Sequence, residues 1–383
     1  MYDNRELRGR AILEKPDQIM RIDDRFYKVA SQNGHGAYDV KLRANGSWIC
    51  ECLDFHYRAL ERHEITRCKH VWAVELSLKL REQVEARVIE PIAGIENCLY
   101  CKSQRIIKKG LRHNKYGDIQ KFRCLACGKW FTVNLGFEKM KHNPQGITTA
   151  MQLYFSGESL RNTACSLRLL GVQVSHKTVF YWIKKYVALM EKYLDQITPQ
   201  VSDTWATDEL FLRVKGNMKY LYAMMDEQTR FWIAQEVADT KYTADVRPLF
   251  QLAKQVAGKQ PKTLISDGAA NFHEAYNEEF RTLKLDTRTE HIRHIRLQGD
   301  FNNNKMERMN GEIRGRERVM RTLDTSDTPI LKGMRIYHNY VRPHMALGGK
   351  TPAQVAGIRV EGDNKWLTLI QNASSQRHRN EKT

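Results

Sequence analysis

The chain has 383 residues and a formal net charge of +18, from 62 Lys and Arg against 44 Asp and Glu. That length excludes a single small domain and predicts roughly two to four, and a hydrophobic content of 42% excludes global disorder. No apolar run reaches the length of a membrane span, and the N-terminus is charged throughout, without the apolar centre of a secretory signal.

The charge favours a polyanionic partner, because each cation that neutralises a phosphate releases condensed counterions. A ribosomal or membrane-surface protein would carry a similar excess. Four segments follow in chain order. Residues 1–90 hold a strand-like pattern around Tyr38–Cys50 and then a helix from about Lys69 to Glu85. Residues 91–140 bracket a polar middle with two Cys pairs. Residues 141–200 are helical. Residues 201–383 alternate strands and helices: TWATDELFLRV, MKYLYAMMD and FWIAQEVAD read as three strands joined by short turns. A helix at about Ala244–Ala257, the strand KTLISD, more helix, a strand near Glu290–Arg296 and a long helix from about Asn304 complete the block. This pattern predicts a mixed-sheet α/β layer fold. The polar last dozen residues are expected to fray.

Three acids stand out in the last segment. Asp208 lies in the first strand, Asp267 ends the fourth, and Glu307 opens the long helix after Asn302–Asn304. Two strand ends and a helix start can converge at one sheet edge, and carboxylates suit Mg²⁺ or Mn²⁺. Two such ions can drive an in-line phosphoryl transfer. Each acid also has a plain reading. Asp208 could be an exposed strand polar, with Glu209 or Asp203 as the ligand instead. Asp267 could be a turn Asp, and Glu307 a helix-start acid favoured by the macrodipole. Glu312 is a rival third ligand, Asp226 reads as a hairpin-turn Asp, and His273, His291 and His294 read as structural.

Taken in order, WATDE, ISDGAANF and NNNKMERMNGEIRGRERVMRTL resemble the DDE core of insertion-sequence transposases, nearest to the insertion-sequence six group and its archaeal relatives. YHNYVRPHMALGGKTPAQVAGI, residues 337–358, resembles the tail of such transposases and of retroviral-type integrases. The resemblance covers about residues 140–358. It implies a ribonuclease-H-like fold, with Asp208, Asp267 and Glu307 as catalytic ligands of two Mg²⁺ or Mn²⁺ ions. It also implies a basic residue beside the metals, here Arg314, seven positions and two helical turns after Glu307. Residues 293–321 hold eight Lys or Arg against four acids, which suits a helix lying along phosphates. The 39 residues between Asp267 and Glu307 are more than the best-known relatives carry. His344, in the Arg-Pro-His motif, is expected to pin the C-terminal helix.

Seven of the eight cysteines fall into clusters that read as zinc ligands in a reducing compartment. Cys98-x2-Cys101, a gap of 22 residues, then Cys124-x2-Cys127 is a four-thiolate pattern for one tetrahedral Zn²⁺ in a zinc ribbon; a redox dithiol is the alternative. Lys102, Arg105, Lys108, Lys109, Arg112 and Lys115 give it a basic loop, with Lys108 and Lys109 candidates for DNA contact. Cys50-x-Cys52, a gap of 15, then Cys68-x-His70 resembles the SWIM zinc finger. That brings the expectation to two Zn²⁺ per chain, with His56 and His63 as rival ligands and buried, unmetallated cysteines as the alternative. Cys165 is expected to be a small core residue.

GESLRNTACSLRLLGVQVSHKTVFYWIKKY divides at Gly171 into two helices with a helix-turn-helix layout. Leu160, Ala164, Leu167 and Leu170 line one face of the first, and Val179, Trp182, Ile183 and Tyr186 line the second. Ser175 is the N-cap, and His176, Lys177 and Thr178 would face DNA. A plain helical hairpin is the alternative.

The sequence therefore predicts a multidomain α/β enzyme. A SWIM-type zinc finger spans 1–90, a four-Cys ribbon 91–140, a helix-turn-helix 141–200, and a ribonuclease-H-like DDE domain with a helical tail 201–383. Its expected work is transposition: cutting strands at the ends of a mobile element and transferring them. The expected partners are double-stranded DNA, both terminal inverted repeats and target, and further copies of the chain as a dimer or larger assembly. The expected location is the cytoplasm or nucleoid, with no membrane partner and no secretion. A DNA-binding regulator that has lost catalysis, and a metal nuclease that cuts without joining, are the competing readings.

Overall fold

In a computed structural model of the protein, the described residues are 4–380, except 14, 16–17, 24, 33, 35, 63–66, 84–86, 93–96, 115–116, 133–134, 139, 283–287, 295–303, 318–322 and 324–327. The chain falls into two compact units. The first comprises residues 1–86 with 298–302, and the second the remainder.

The first unit opens with α1 (Asn4–Leu13). A four-stranded antiparallel sheet follows, in the order β1 (Ile19–Arg21), β2 (Phe26–Ala30), β3 (Ala37–Leu42), β4 (Trp48–Cys50). The predicted strand around Tyr38–Cys50 is thus two strands with a turn at Asn45–Gly46. Helices α2 (Leu53–Arg62) and α3 (Lys69–Gln83) complete the unit. Alternation along β2 turns Tyr27 and Val29 inward, where they meet Val40 and the Val71, Ala73 and Val74 face of α3. Gly9 lets α1 cross α3 closely, since a Cβ there would stand 2.7 Å from that of Trp72.

The second unit begins at β5 (Arg87–Ile89). A three-stranded antiparallel sheet follows: β6 (Ile106–Asn114), β7 (Gly117–Cys124) and β8 (Trp130–Thr132). Its core is a stack of Phe122 on Phe131, with ring centroids 5.7 Å apart. Three helices come next: α4 (Pro144–Ser156), α5 (Leu160–Leu169) and α6 (His176–Leu194). Each starts at a side-chain cap, from Asn143, Ser159 and Ser175 respectively. Val179, Trp182, Ile183 and Tyr186 are buried, as their spacing predicts.

The largest sheet has five strands in the order β11-β10-β9-β12-β13. Strands β9 (Thr204–Val214), β10 (Asn217–Asp226) and β11 (Trp232–Ala238) form an antiparallel meander. After α7 (Thr243–Ala257), β12 (Thr263–Asp267) enters parallel to β9. After α8 (Ala270–Glu279), β13 (Glu290–His294) pairs parallel to β12. Then come α9 (Asn304–Glu317), α10 (Pro329–Ile336), a π-turn over Tyr337–Val341, α11 (Pro352–Val355), β14 (Ile358–Val360) and α12 (Lys365–Asn380). Helix α7 packs on β10 and β11, and α9 on β9. The expected mixed α/β layering is present.

Three expectations fail. The polar tail is helical as far as Asn380, beyond which 381–383 lie outside the described residues: α12 buries Leu369, Ile370, Ala373, Ser374 and Ser375 against α4 and α6. Its serines are small enough for close helix packing. Leu170 is 66% exposed, because α5 ends at Leu169 and Gly171, at φ +80°, turns the chain away. Cys165 is exposed on α5 instead of lying in the core, where Ala164 and Thr163 take the inner positions. Among the described residues no helix is long and apolar enough to cross a membrane.

Candidate active site and metal centres

Strands β9 and β12 run parallel with Ile265 opposite Ala206. Two residues further along each strand stand Asp208 and Asp267. The carboxylate oxygens of Asp208, Glu209 and Asp267 approach within 4.8 Å of one another. Asp208 Oδ1 accepts from the Glu209 backbone N–H at 2.9 Å, and Asp208 Oδ2 from Asn310 Nδ2 at 2.8 Å. Asp267 Oδ1 accepts from the Ala269 N–H at 3.1 Å. Burial pushes the Asp208 carboxyl up to about 7, and the charges of Asp267, Glu209 and Glu307 add to the rise.

Glu307 sits in the first turn of α9, exposed, one turn before Asn310. It stands outside the three-carboxylate group, yet near enough for its charge to act on Asp208. Arg314 is exposed two turns on, in keeping with a shared face. Asn302 and Asn303 lie outside the described residues. Of the rivals, Glu312 and Asp203 are paired elsewhere, whereas Glu209 belongs to the three-carboxylate group. Glu312 pairs with Arg342. Asp203 pairs with Lys259 at 2.6 Å and Lys262 at 3.2 Å. Glu209 pairs with Lys241 at 2.6 Å, while its Oε2 is buried without a hydrogen-bond partner. Asp226 is fully buried and braces the β10–β11 turn, accepting from the Ser202 N–H and from the N–H and hydroxyl of Thr229 at 2.9, 2.8 and 2.6 Å.

Sequence reasoning overlooked Asn310 and Lys241. Asn310 was detectable as the residue three positions after Glu307, on the same helix face. Lys241 lies in a loop, and no local spacing signals it. Of the histidines, His291 Nε2 stands 2.9 Å from the Ser266 hydroxyl and its Nδ1 3.3 Å from that of His273. Burial holds His291 down to about 4, so it is neutral at ordinary pH. The side chain of His294 lies outside the described residues. His344 Nε2 stands 3.3 Å from the His338 carbonyl, within the C-terminal motif. His338 Nε2 in turn donates to Arg230 O at 2.9 Å. Asn339 pairs both its amide groups with the Trp232 backbone, at 2.8 and 2.9 Å, and so clamps strand β11.

Both cysteine clusters are assembled. Cys50, Cys52, Cys68 and His70 are buried with their ligand atoms within 4.8 Å of one another. Cys50 Sγ lies 3.6 Å from His70 Nδ1. His56 is exposed and outside this set, and His63 lies outside the described residues. Cys98, Cys101, Cys124 and Cys127 form the second set, with Cys98–Cys127 at 3.7 Å and Cys101–Cys124 at 3.5 Å. Sulfurs bound at about 2.3 Å to one tetrahedral zinc stand about 3.8 Å apart, and a sulfur and an imidazole nitrogen about 3.6 Å. A disulfide would hold its sulfurs at about 2.0 Å. These donor sets fit zinc.

The two Cys pairs of the second set are built alike. The Cys98 N–H donates to Ser103 O, and the Cys124 N–H to Lys129 O. The residue after each pair, Lys102 at φ +62° and Gly128 at φ +70°, is left-handed and donates back to the first Cys carbonyl. A redox dithiol needs one such turn, whereas here two facing turns bring four sulfurs within 4.8 Å of one another. Of the basic residues between the pairs, Lys102 and Arg105 precede β6 and three stand on the strand itself, not in the expected loop. Lys108, Lys109 and Arg112 are exposed on β6, where a bulge at Gly110 shifts the register; Lys115 lies outside the described residues.

At the start of α6, His176 and Lys177 are exposed. Thr178 is partly occupied by the cap: its N–H donates to Ser175 Oγ at 3.2 Å, and its hydroxyl lies 3.1 Å from the same atom.

Comparison with known proteins matches residues 202–344 to a family model described as a DDE domain, of the IS240 type. The chain is 24% identical over 216 residues to the transposase for insertion sequence-like element IS431mec of Staphylococcus aureus strain Mu50, covering 55% of this chain and 91% of that protein. It has the same identity and coverage with the transposase for insertion sequence element IS257 in transposon Tn4003, also of Staphylococcus aureus. Among solved structures, the HTLV-2 integrase catalytic core domain in complex with magnesium (dimeric form) aligns with a TM-score of 0.32 at 17% identity, covering 42% of this chain and 98% of that one. The simian T-cell lymphotropic virus intasome in complex with a PP2A regulatory subunit aligns with a TM-score of 0.33 at 14% identity, covering 42% and 56%. Residues 202–344 are a DDE domain.

Proposed function

We propose that this chain is a DNA transposase that cuts strands at the ends of a mobile element and transfers them to target DNA, with Asp208, Asp267 and Glu307 as its catalytic acids. The observation that carries this reading is the placement of Asp208 and Asp267 at matching positions of two adjoining parallel strands, with Glu307 near enough to act on Asp208. The strand order β11-β10-β9-β12-β13 supports reading residues 201–383 as ribonuclease-H-like.

Two Mg²⁺ or Mn²⁺ ions, when bound, supply nucleophile activation and neutralise charge on the leaving oxygen. The chain's own residues prepare for them. Asp208 is held by Asn310 on one oxygen and by the Glu209 N–H on the other, so its orientation is set before DNA arrives. Asp267 is held by the Ala269 N–H at the entry to α8. Glu307 is exposed and can swing to complete the set. Arg314, on the same face of α9, meets the DNA backbone beside the acids. Catalysis rests on positioning and charge neutralisation, without a covalent enzyme intermediate.

Two Zn²⁺ ions per chain hold the SWIM-type finger of residues 1–90 and the four-Cys ribbon of residues 91–140. The ribbon contributes Lys108 and Lys109 to phosphates. Residues 141–200 act as a helix-turn-helix in which His176, Lys177 and Thr178 at the start of α6 face the major groove of the terminal repeats. Thr178 contributes less than its neighbours, because the Ser175 cap engages its hydroxyl. Joining two DNA ends calls for a dimer or larger assembly, working in the cytoplasm or on the nucleoid.

The test is an in vitro joining assay with DNA carrying the flanks of the gene, a supercoiled target, and Mg²⁺ or Mn²⁺. Metal-dependent joined products that vanish in Asp267→Asn, while that variant still binds DNA, support the reading. Binding or nicking without joining, on flanks the protein recognises, would favour a regulator or a nuclease.

A further inference from the structure

The hairpin of β9 and β10 carries an outward face that no step above uses. Phe211 and Tyr220 are directly paired in register, with rings 5.0 Å apart and tilted by 52°. Tyr222 follows one pair further along, 6.5 Å from Tyr220 and directly opposite Glu209. The Lys241 ammonium stands 4.7 Å from the Phe211 ring and 5.0 Å from the Tyr220 ring, and 2.6 Å from Glu209 Oε1. Glu209 in turn lies within 4.8 Å of the Asp208 and Asp267 carboxylates. The aromatic pair is therefore one side chain removed from the acids.

Tyr222 is fully buried against Phe272, and the face opens only beyond it, toward the hairpin tip. Phe211 is 45% exposed, Met218 52% and Tyr242 72%. Apolar rings at a surface forgo the stabilisation of burial unless something covers them. The charges around these rings indicate what does. Arg213 and Lys215 are exposed beside them and Lys241 borders them; the acids nearby are Glu209, paired with Lys241, Glu236 opposite Tyr222, and Glu317, which accepts from the Arg213 N–H. Aromatic rings interleaved with cations form a surface for nucleic acid, in which rings take base faces and ammonium groups take phosphates. A ring on a hairpin meets a base face only when that base has left its stack, which selects an unpaired strand over a closed duplex.

We propose that the β9–β10 hairpin receives an unpaired stretch of the DNA strand entering the carboxylate site, with bases stacked on Phe211 and Tyr220 and a phosphate held by Lys241. It rests on reading the chain as a DNA-processing enzyme, and it adds to that reading that the strand must be opened beside the reacting phosphate. Lys241 serves as the link, since it touches both the aromatic pair and Glu209.

The experiment is photo-crosslinking of the full chain to a short oligothymidylate carrying one 5-iododeoxyuridine, a base that couples to aromatic side chains it stacks on, with the adduct mapped by mass spectrometry. Adducts are expected on Phe211 or Tyr220. Their yield is expected to fall at least about five-fold in Phe211→Leu and Tyr220→Leu, which keep bulk but remove the aromatic face. Circular dichroism and unchanged adducts elsewhere would show that these variants fold. Adducts confined to the cysteine-rich modules or helices, or unchanged by either Leu variant, overturn the proposal. Joining by the wild type without adducts on this face overturns the platform alone. Adducts on this face without any joining support the platform and count against the transposase reading.

Discussion

Asp208 concentrates the electrostatics of the site in one side chain. Its folded carboxyl is raised from 3.8 to about 7, first by burial and then by neighbouring acids. The folded state therefore holds a proton between these values that the unfolded chain releases, and stability is lost as pH rises through that window. Asn at this position keeps the shape and cannot ionise. In zinc-replete, magnesium-free buffer, the Tm of Asp208→Asn minus that of the wild type is expected to grow from about pH 4 to about pH 7 and then level off. A difference that does not vary with pH would mean the charge is not buried. Asn310 positions Asp208, so Asn310→Ala is expected to lower joining about 10- to 100-fold with DNA affinity unchanged. Equal loss of DNA binding would make Asn310 a structural residue instead. The proposed acids could be picked out by residue type and order, although Asp208 lies within β9 and only Asp267 ends its strand, with Glu307 in the first turn of α9. Asn310 was not picked out, since an amide carries no charge to draw attention and its partner lies 102 positions away.

At the scale of elements, the two cysteine clusters make separable claims. Cys124→Ser is expected to release one zinc per chain and Cys50→Ser another, counted with a colorimetric chelator after denaturation, whereas Cys165→Ser releases none. Loss of both ions from either variant would show the two sites to be coupled. The spacing of Cys98, Cys101, Cys124 and Cys127 sufficed to predict that these four group together, because each turn is local and closes within six residues. The face of α6 was equally legible, since apolar residues three and four apart leave one buried stripe. Polarity misled at α12, where Ser374 and Ser375 pack against helices far away in sequence. It misled again at β6, where a run of cations suggested a loop. Cross-strand pairing with β7 holds those residues extended, and their side chains simply face outward. The error at Leu170 came from extending a helical period one residue past the helix end.

At the scale of the molecule, the second unit is closed by contacts that linear reading cannot supply. Strand β5 pairs with β14, 271 positions on from Arg87 to Ile358, and α12 lies on α4 and α6. Buried Arg316 of α9 donates to Tyr154 O and Glu158 O at the end of α4, so the helix that carries Glu307 is tied to the helical segment. The claim on which the rest depends is the identity of the ligand set. The geometry offers a competitor in Glu209, which groups with Asp208 and Asp267 within 4.8 Å where Glu307 does not. The most direct measurement is strand transfer by Asp208→Asn, Asp267→Asn, Glu307→Gln and Glu209→Gln side by side, in Mg²⁺ and in Mn²⁺, with folding and DNA binding verified for each. The first three are expected to abolish joined products and Glu209→Gln to retain them. Joining that survives Glu307→Gln but is lost in Glu209→Gln would contradict the account and move the third ligand from α9 to β9.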